Sequence, residues 1–173
     1  MRLEVAGKPS LERLSDSKLR AAIATLRTYG PSSFASLTDK YGNAIHVAGG
    51  GDTCLLEFRD AVHQRHYRAY HGTPQAGRPD GTLLVFAGAE IPMQADEWFT
   101  ADTVAQAFIQ FLRSKRMPDC VTWRDRTSWC LPTPQQMPEA AGTGRPACAL
   151  PSAGGRKATE RYASSQGTSL LRT

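Results

Sequence analysis

The chain has 173 residues and an apolar content of 40%, enough for one domain with a real core and unlike a fibre. Its formal net charge of +5 and pI near 9.2 are unevenly distributed: residues 131–173 hold five Lys and Arg against Glu139 and Glu160, a net +3, which leaves +2 on the rest. A strongly basic nucleic-acid footprint needs cations clustered on a folded face, so that function class is not indicated.

The N-terminal Met1-Arg2-Leu3-Glu4-Val5-Ala6-Gly7 lacks an apolar signal region, and no stretch approaches the length of a membrane span. A soluble, cytoplasmic protein with no membrane partner is expected. Cys54, Cys120, Cys130 and Cys148 lie far apart with no C-x-x-C, which fits reduced thiols better than a disulfide framework.

In chain order, residues 15–29 predict an amphipathic helix, because Leu19, Ala22, Ile23 and Leu26 recur at helical spacing behind the capping candidates Ser15 and Asp16, with Gly30-Pro31 as the stop. Short strands follow at 34–37, 44–48, 53–59, 66–71 and 82–87, separated by turn residues such as Tyr41-Gly42-Asn43, Gly49-Gly50-Gly51-Asp52 and Pro79-Asp80-Gly81. In 53–59 the alternation sends Cys54, Leu56 and Phe58 to one face, although Leu55 breaks the polar side. Residues 89–99 show no obvious regular structure. A second helix starts after the N-cap Thr100 with Asp102 in its first turn and carries Val104, Phe108, Phe111 and Leu112 on one face. Arg113, Lys115 and Arg116 suit its C-terminal dipole, Pro118 closes it, and Val121-Thr122-Trp123 reads as a last edge strand.

The expected fold class is therefore α+β, an antiparallel meander packed by an N-terminal and a C-terminal helix, in a domain covering 1–130. Residues 131–173 contain no Ile, Val, Phe or Trp and are expected to form a disordered tail.

Motifs for catalysis or cofactors are weak. His63, His66 and His71 are close in sequence, but Arg59, Arg65 and Arg68 flank them and oppose a divalent metal, so no metal is expected. Gly49-Gly50-Gly51-Asp52-Thr53 leads into a strand and lacks the Gly-Lys-Ser/Thr ending of a phosphate cradle. Cys54 and His46 are a conceivable nucleophile and base, yet the alternation buries Cys54. Tyr67, Tyr70, Trp98, Phe99, Trp123 and Trp129 are better assigned to packing than to a base-stacking platform. No catalytic residue and no cofactor is expected. Residues 89–99 stand out, because Ile91-Pro92-Met93 and Trp98-Phe99 bracket Gln94–Glu97, and aromatics beside acids on a loop suit a protein interface.

The order of these elements resembles the Imm1 family of bacterial immunity proteins over roughly residues 15–126. The resemblance is carried by the strand pair around 44–59, His66-Tyr67-Arg68, Gly88-Ala89-Glu90-Ile91-Pro92, the helix through 105–112 and Pro118-Asp119-Cys120-Val121-Thr122-Trp123. It implies an antidote without a reaction of its own. Its partner would be a co-encoded polymorphic toxin, in known cases often a nucleic-acid deaminase or another nucleic-acid-directed enzyme. Glu90, Asp96, Glu97 and Trp98 are then the expected toxin-facing residues, their acids complementing a cationic cleft. The rival readings are a small basic nucleic-acid-binding module using Arg59, Arg65, His66, Arg68 and the basic tail, and a small enzyme built on the histidines.

Overall fold

Alternation of apolar and polar side chains organises most of the fold, which is described here from a computed structural model for residues 1–86 and 89–130, with backbone alone at 129 and 130. The tail expected beyond residue 130 and the strand end expected at Ala87 lie outside the described residues. Among the described residues the elements are, in order, β1 (Arg2–Val5), α1 (Asp16–Ala24), β2 (Phe34–Thr38), β3 (Ala44–Gly50), β4 (Thr53–Asp60), β5 (Arg65–Tyr70), β6 (Thr82–Phe86), β7 (Ala89–Met93), α2 (Ala101–Ser114), β8 (Thr122–Asp125) and α3 (Thr127–Cys130).

Six strands form one antiparallel sheet in the order β1-β2-β3-β4-β5-β8, so the class is α+β and the last edge strand is present, while the expected meander holds through β5 and is corrected at β6, which leaves this sheet to pair with β7. One face carries Leu3, Val5, Leu37, Ile45, Val47, Leu56 and Phe58 against Leu19 and Ile23 of α1 and Val104, Phe108 and Phe111 of α2, forming the main core. Phe58 meets the Phe111 ring edge-on at 5.4 Å. On the other face, β6 and β7 pair as a separate hairpin, whose Leu84, Phe86 and Met93 close over Phe34, Ala48 and Leu55 together with Trp98. Leu55, the break in the polar side of its strand, is buried in this second cluster; a sheet covered on both faces needs apolar residues on both.

Two further expectations are corrected. The first helix ends at Ala24, not near Gly30: Thr25 closes it by bonding Ala22 O through its hydroxyl at 2.7 Å, and Leu26 N reaches back only to Ile23 O in a tightened last turn. Residues 89–93 form a strand, because its partner β6 tolerates Pro92, which a two-stranded hairpin can accommodate where a central strand cannot. β1 had no expectation attached, its four residues being too short for periodicity to register. The second helix starts as expected, with Thr100 Oγ1 accepting from Thr103 N at 3.3 Å, and stops at Lys115, whose left-handed φ of 60° ends it before Pro118.

The end of β3 is pressed against the exit of α1. A Cβ on Gly50 would stand 2.4 Å from the Leu26 carbonyl carbon and oxygen, whereas one on Gly51 would meet nothing within 4 Å, although Gly51 has a φ of +64°. Gly50→Ala should therefore cost roughly 2–3 kcal/mol by overpacking and Gly51→Ala about 1 kcal/mol by backbone strain alone. Denaturant unfolding that ranks the two variants the other way would contradict this packing.

Candidate functional site

Strand register sets Glu4, Ser36, His46, Glu57, Arg68 and Arg124 side by side in a single row across all six strands, on the face away from the helices. The hairpin covers the apolar row beside it. Where the two meet, at the β5–β8 edge, three guanidinium groups close around one carboxylate.

That carboxylate belongs to Glu97 and is fully buried. It accepts from Arg124 Nη1 at 2.9 Å, Arg126 Nη2 at 2.8 Å, Arg68 Nη1 at 3.3 Å and the Gln94 backbone N–H at 3.0 Å. Arg68 also grips Glu57 Oε1 through Nε and Nη2 at 3.0 and 2.8 Å and reaches the Pro92 carbonyl at 3.4 Å. Arg124 binds Asp96 Oδ2 at 2.9 Å, hydrogen-bonds the Gln94 side chain, and lies 4.3 Å over the Tyr70 ring. Three arginines thus face the three carboxylates Glu57, Asp96 and Glu97. Burial pushes the Glu57 carboxyl above its ordinary range, and Arg68 pulls against that rise. Asp96 Oδ1 is buried without a hydrogen-bond partner, but the remaining bonds are dense, and loss of a member would strand a charge.

The chain beyond Glu97 is divided between the two cores. Trp98 enters the hairpin cluster and lies under the Arg78 guanidinium at 4.9 Å, while Phe99 enters the main core, stacks on His71 at 4.1 Å and exchanges backbone hydrogen bonds of 2.9 Å with Cys54. Of the four residues expected to face a partner, Glu97 and Trp98 are therefore interior. Asp96 is half-buried on Arg124, and Glu90 is exposed on β7. Sequence reasoning missed the surface that surrounds Glu90. On the outward side of the hairpin, Leu83 and Val85 are each 50% exposed, and they stand opposite Pro92 and Glu90. The available signal was the run Leu83-Leu84-Val85-Phe86, in which apolar residues point both ways.

The other candidate residues are dispersed. His63 is paired with Asp60 at 2.7 Å in the β4–β5 turn, His66 lies at the start of β5, and His71 Nε2 donates to the Trp98 carbonyl. Among the described residues no group of three or more His, Cys, Asp and Glu could hold a metal ion. Cys54 faces the main core, where burial lifts its thiol to about 12, and His46 faces the opposite side of the sheet, so the two do not form a nucleophile and base. Ser36, His46 and Glu57 are neighbours in the row and have the composition of a hydrolytic triad. Its hydrogen bonds are not assembled, because Arg68 holds Glu57, Ser36 reaches toward Thr38, and His46 Nδ1 has no hydrogen-bond partner.

His46 nevertheless has a thermodynamic consequence. Burial, reinforced by Arg59 and His66, depresses its pKa from 6.5 to about 3. Below pH 6.5 the unfolded chain gains a proton there that the folded chain refuses, so stability is complete above that pH, falls as pH drops from 6.5 to about 3, and levels off below. The loss should reach about 2 kcal/mol by pH 5. Chemical denaturation from pH 8 to pH 4 should show that slope in the native chain and a flatter one in His46→Gln; equal slopes would refute the assignment.

No helix among the described residues is long and apolar enough to cross a membrane. None of the curated proteins matches the chain. The family model described as Immunity protein Imm1 matches residues 11–125, which run from the approach to α1 through the last strand and include Glu57, Arg68, Asp96, Glu97 and Arg124. With well over half of its length matched, the chain belongs to the Imm1 family of immunity proteins.

Proposed function

We propose that this immunity protein works in the cytoplasm by binding a co-encoded toxin and covering the toxin's active-site cleft, and that the β6–β7 hairpin with the adjoining residues 94–96 is the surface that does so. The observation that carries this reading is the outward face of the hairpin: Leu83, Val85, Pro92 and Glu90 form an exposed apolar stripe ending in an acid, on a support that the Glu97 network makes rigid. Exposed contiguous apolar surface marks interaction sites, and preorganisation reduces the entropy lost on binding.

In this reading the contacts fall on Glu90 and Asp96, with Asp80 nearby, where Asp80 Oδ1 accepts from Ala95 N at 2.7 Å. Glu97 and Trp98 act from inside by holding the segment in place. Acids around an apolar centre suit the cationic cleft of a nucleic-acid-directed toxin, such as a deaminase. The domain that binds is residues 1–130. The nucleic-acid-binding alternative is weakened by the burial of Arg68, whose guanidinium is committed to Glu57 and Glu97.

Leu83→Asp combined with Val85→Asp should reduce affinity for the co-encoded toxin at least about 100-fold, and Glu90→Lys about tenfold. Melting temperatures should stay close to that of the native chain, because the altered side chains project outward. Calorimetric titration showing undiminished toxin binding by the double variant would rule this surface out.

A further inference from the structure

The opposite end of the β3–β4 pair carries a second exposed feature of different chemistry. Because Ala44 pairs with Arg59, the β2–β3 turn at 39–43 and the β4–β5 turn at 60–64 lie side by side. They are joined by Arg59 Nη2 to the Gly42 carbonyl at 3.0 Å and by Ala61 N to Asn43 Oδ1 at 3.0 Å. A Cβ on Gly42, at φ +89°, would stand 3.2 Å from the Ala61 Cβ, so the turns touch.

Each turn is internally fixed by a carboxylate. Asp39 accepts from Tyr41 N at 2.7 Å, Asn43 N at 3.0 Å and Asn43 Nδ2 at 3.1 Å, and Asp60 accepts from His63 N at 3.0 Å. The acids at this end are thereby committed inward or to neighbours: Asp39 is buried, Asp60 also holds the His63 ring, and Asp125 caps Thr127. Beside the exposed Asp125, His63 and Gln64, this end presents apolar and cationic side chains. Tyr41 is 64% and Val62 65% exposed, the exposed Lys40, Arg59 and Arg65 stand in the same turns or at the strand ends that adjoin them, and Lys40 Nζ lies 4.7 Å from the Tyr41 ring centroid.

A double turn presenting Tyr and Arg offers two of the residue types in which binding hot spots are enriched, and Val62 adds exposed apolar area beside them. β3 spans seven residues, which places this feature about 20 Å from the hairpin end of the sheet. One partner can span that distance, since an ordinary interface of about 800 Å² per partner measures about 30 Å across. We infer that the toxin interface is bipolar, with the double turn as its cationic pole, docked on an acidic, partly apolar patch of the same toxin that meets the hairpin. This rests on the reading of the chain as a toxin-binding protein. Val62 favours a protein over a nucleic-acid strand, because an aliphatic side chain has no stacking face to offer a base.

The test uses the full chain and the co-encoded toxin domain in stopped-flow binding at about 50 mM and about 500 mM salt. Lys40→Glu with Arg65→Glu should slow association about tenfold at low salt and much less at high salt, and Tyr41→Ala with Val62→Ala should speed dissociation about tenfold, with melting temperatures unchanged. If the native chain binds the toxin and both pairs of variants bind it equally well, the cationic pole is refuted while the toxin-binding reading stands. If the native chain does not bind the toxin, both fall. A single-stranded oligonucleotide that binds the native chain and is released by Lys40→Glu with Arg65→Glu, with toxin binding unaffected, would overturn the inference in favour of nucleic acid.

Discussion

A buried carboxylate must have its charge answered on every side, and Glu97 is answered by Arg68 from β5, Arg124 from β8, Arg126 just beyond it and the Gln94 backbone. Removing such a group leaves guanidiniums in an environment of low polarity, a loss typically of about 3–5 kcal/mol. This requirement locates the segment between β7 and α2. Residues on the distal edge of the sheet and residues from the connection can satisfy one another only if the connection lies against that edge.

The rest of the second face follows from that placement. With Glu97 fixed, its two successors have nowhere to go but into the two cores, Trp98 beneath the hairpin and Phe99 beneath the helices. The same short stretch thus ties the hairpin, the sheet and the start of α2 together. The hairpin's inner side is used for packing and its outer side is left with Leu83 and Val85 exposed. In the function proposed for this immunity protein, the polar network serves through rigidity, and the contacts come from the surface nearby.

Much of this was legible in the sequence wherever one periodicity governed a segment. The strands β2 to β5 and the second helix were readable because each sends apolar residues at strand or helical spacing into the main core, even though Phe34, Ala48 and Leu55 are buried on the second face, and Thr100, Gly42 and Gly51 punctuate them by ordinary capping and turn chemistry. Pro92 concealed β7, since proline is incompatible with most strands and compatible with a hairpin edge. Charge was the harder problem. Glu97 beside Asp96 resembles a solvated acidic loop, and Arg68 among histidines resembles a basic patch. What makes them a buried cluster is the pairing of β5 with β8, a contact across more than fifty residues that local pattern does not encode. The same long-range pairing hides the row linking Glu4 to Arg124, which exists only once six strands are in register.

The most direct measurement of the central claim is native-state hydrogen exchange in Glu97→Gln beside the unaltered chain. If the carboxylate pins the connection and the hairpin to the sheet, the amides of β6, β7 and residues 94–99 should lose most of their protection in the variant while those at the centre of β3 and β4 keep theirs. Equal protection of the hairpin in both proteins would show that its apolar packing alone holds it in place and would contradict the account.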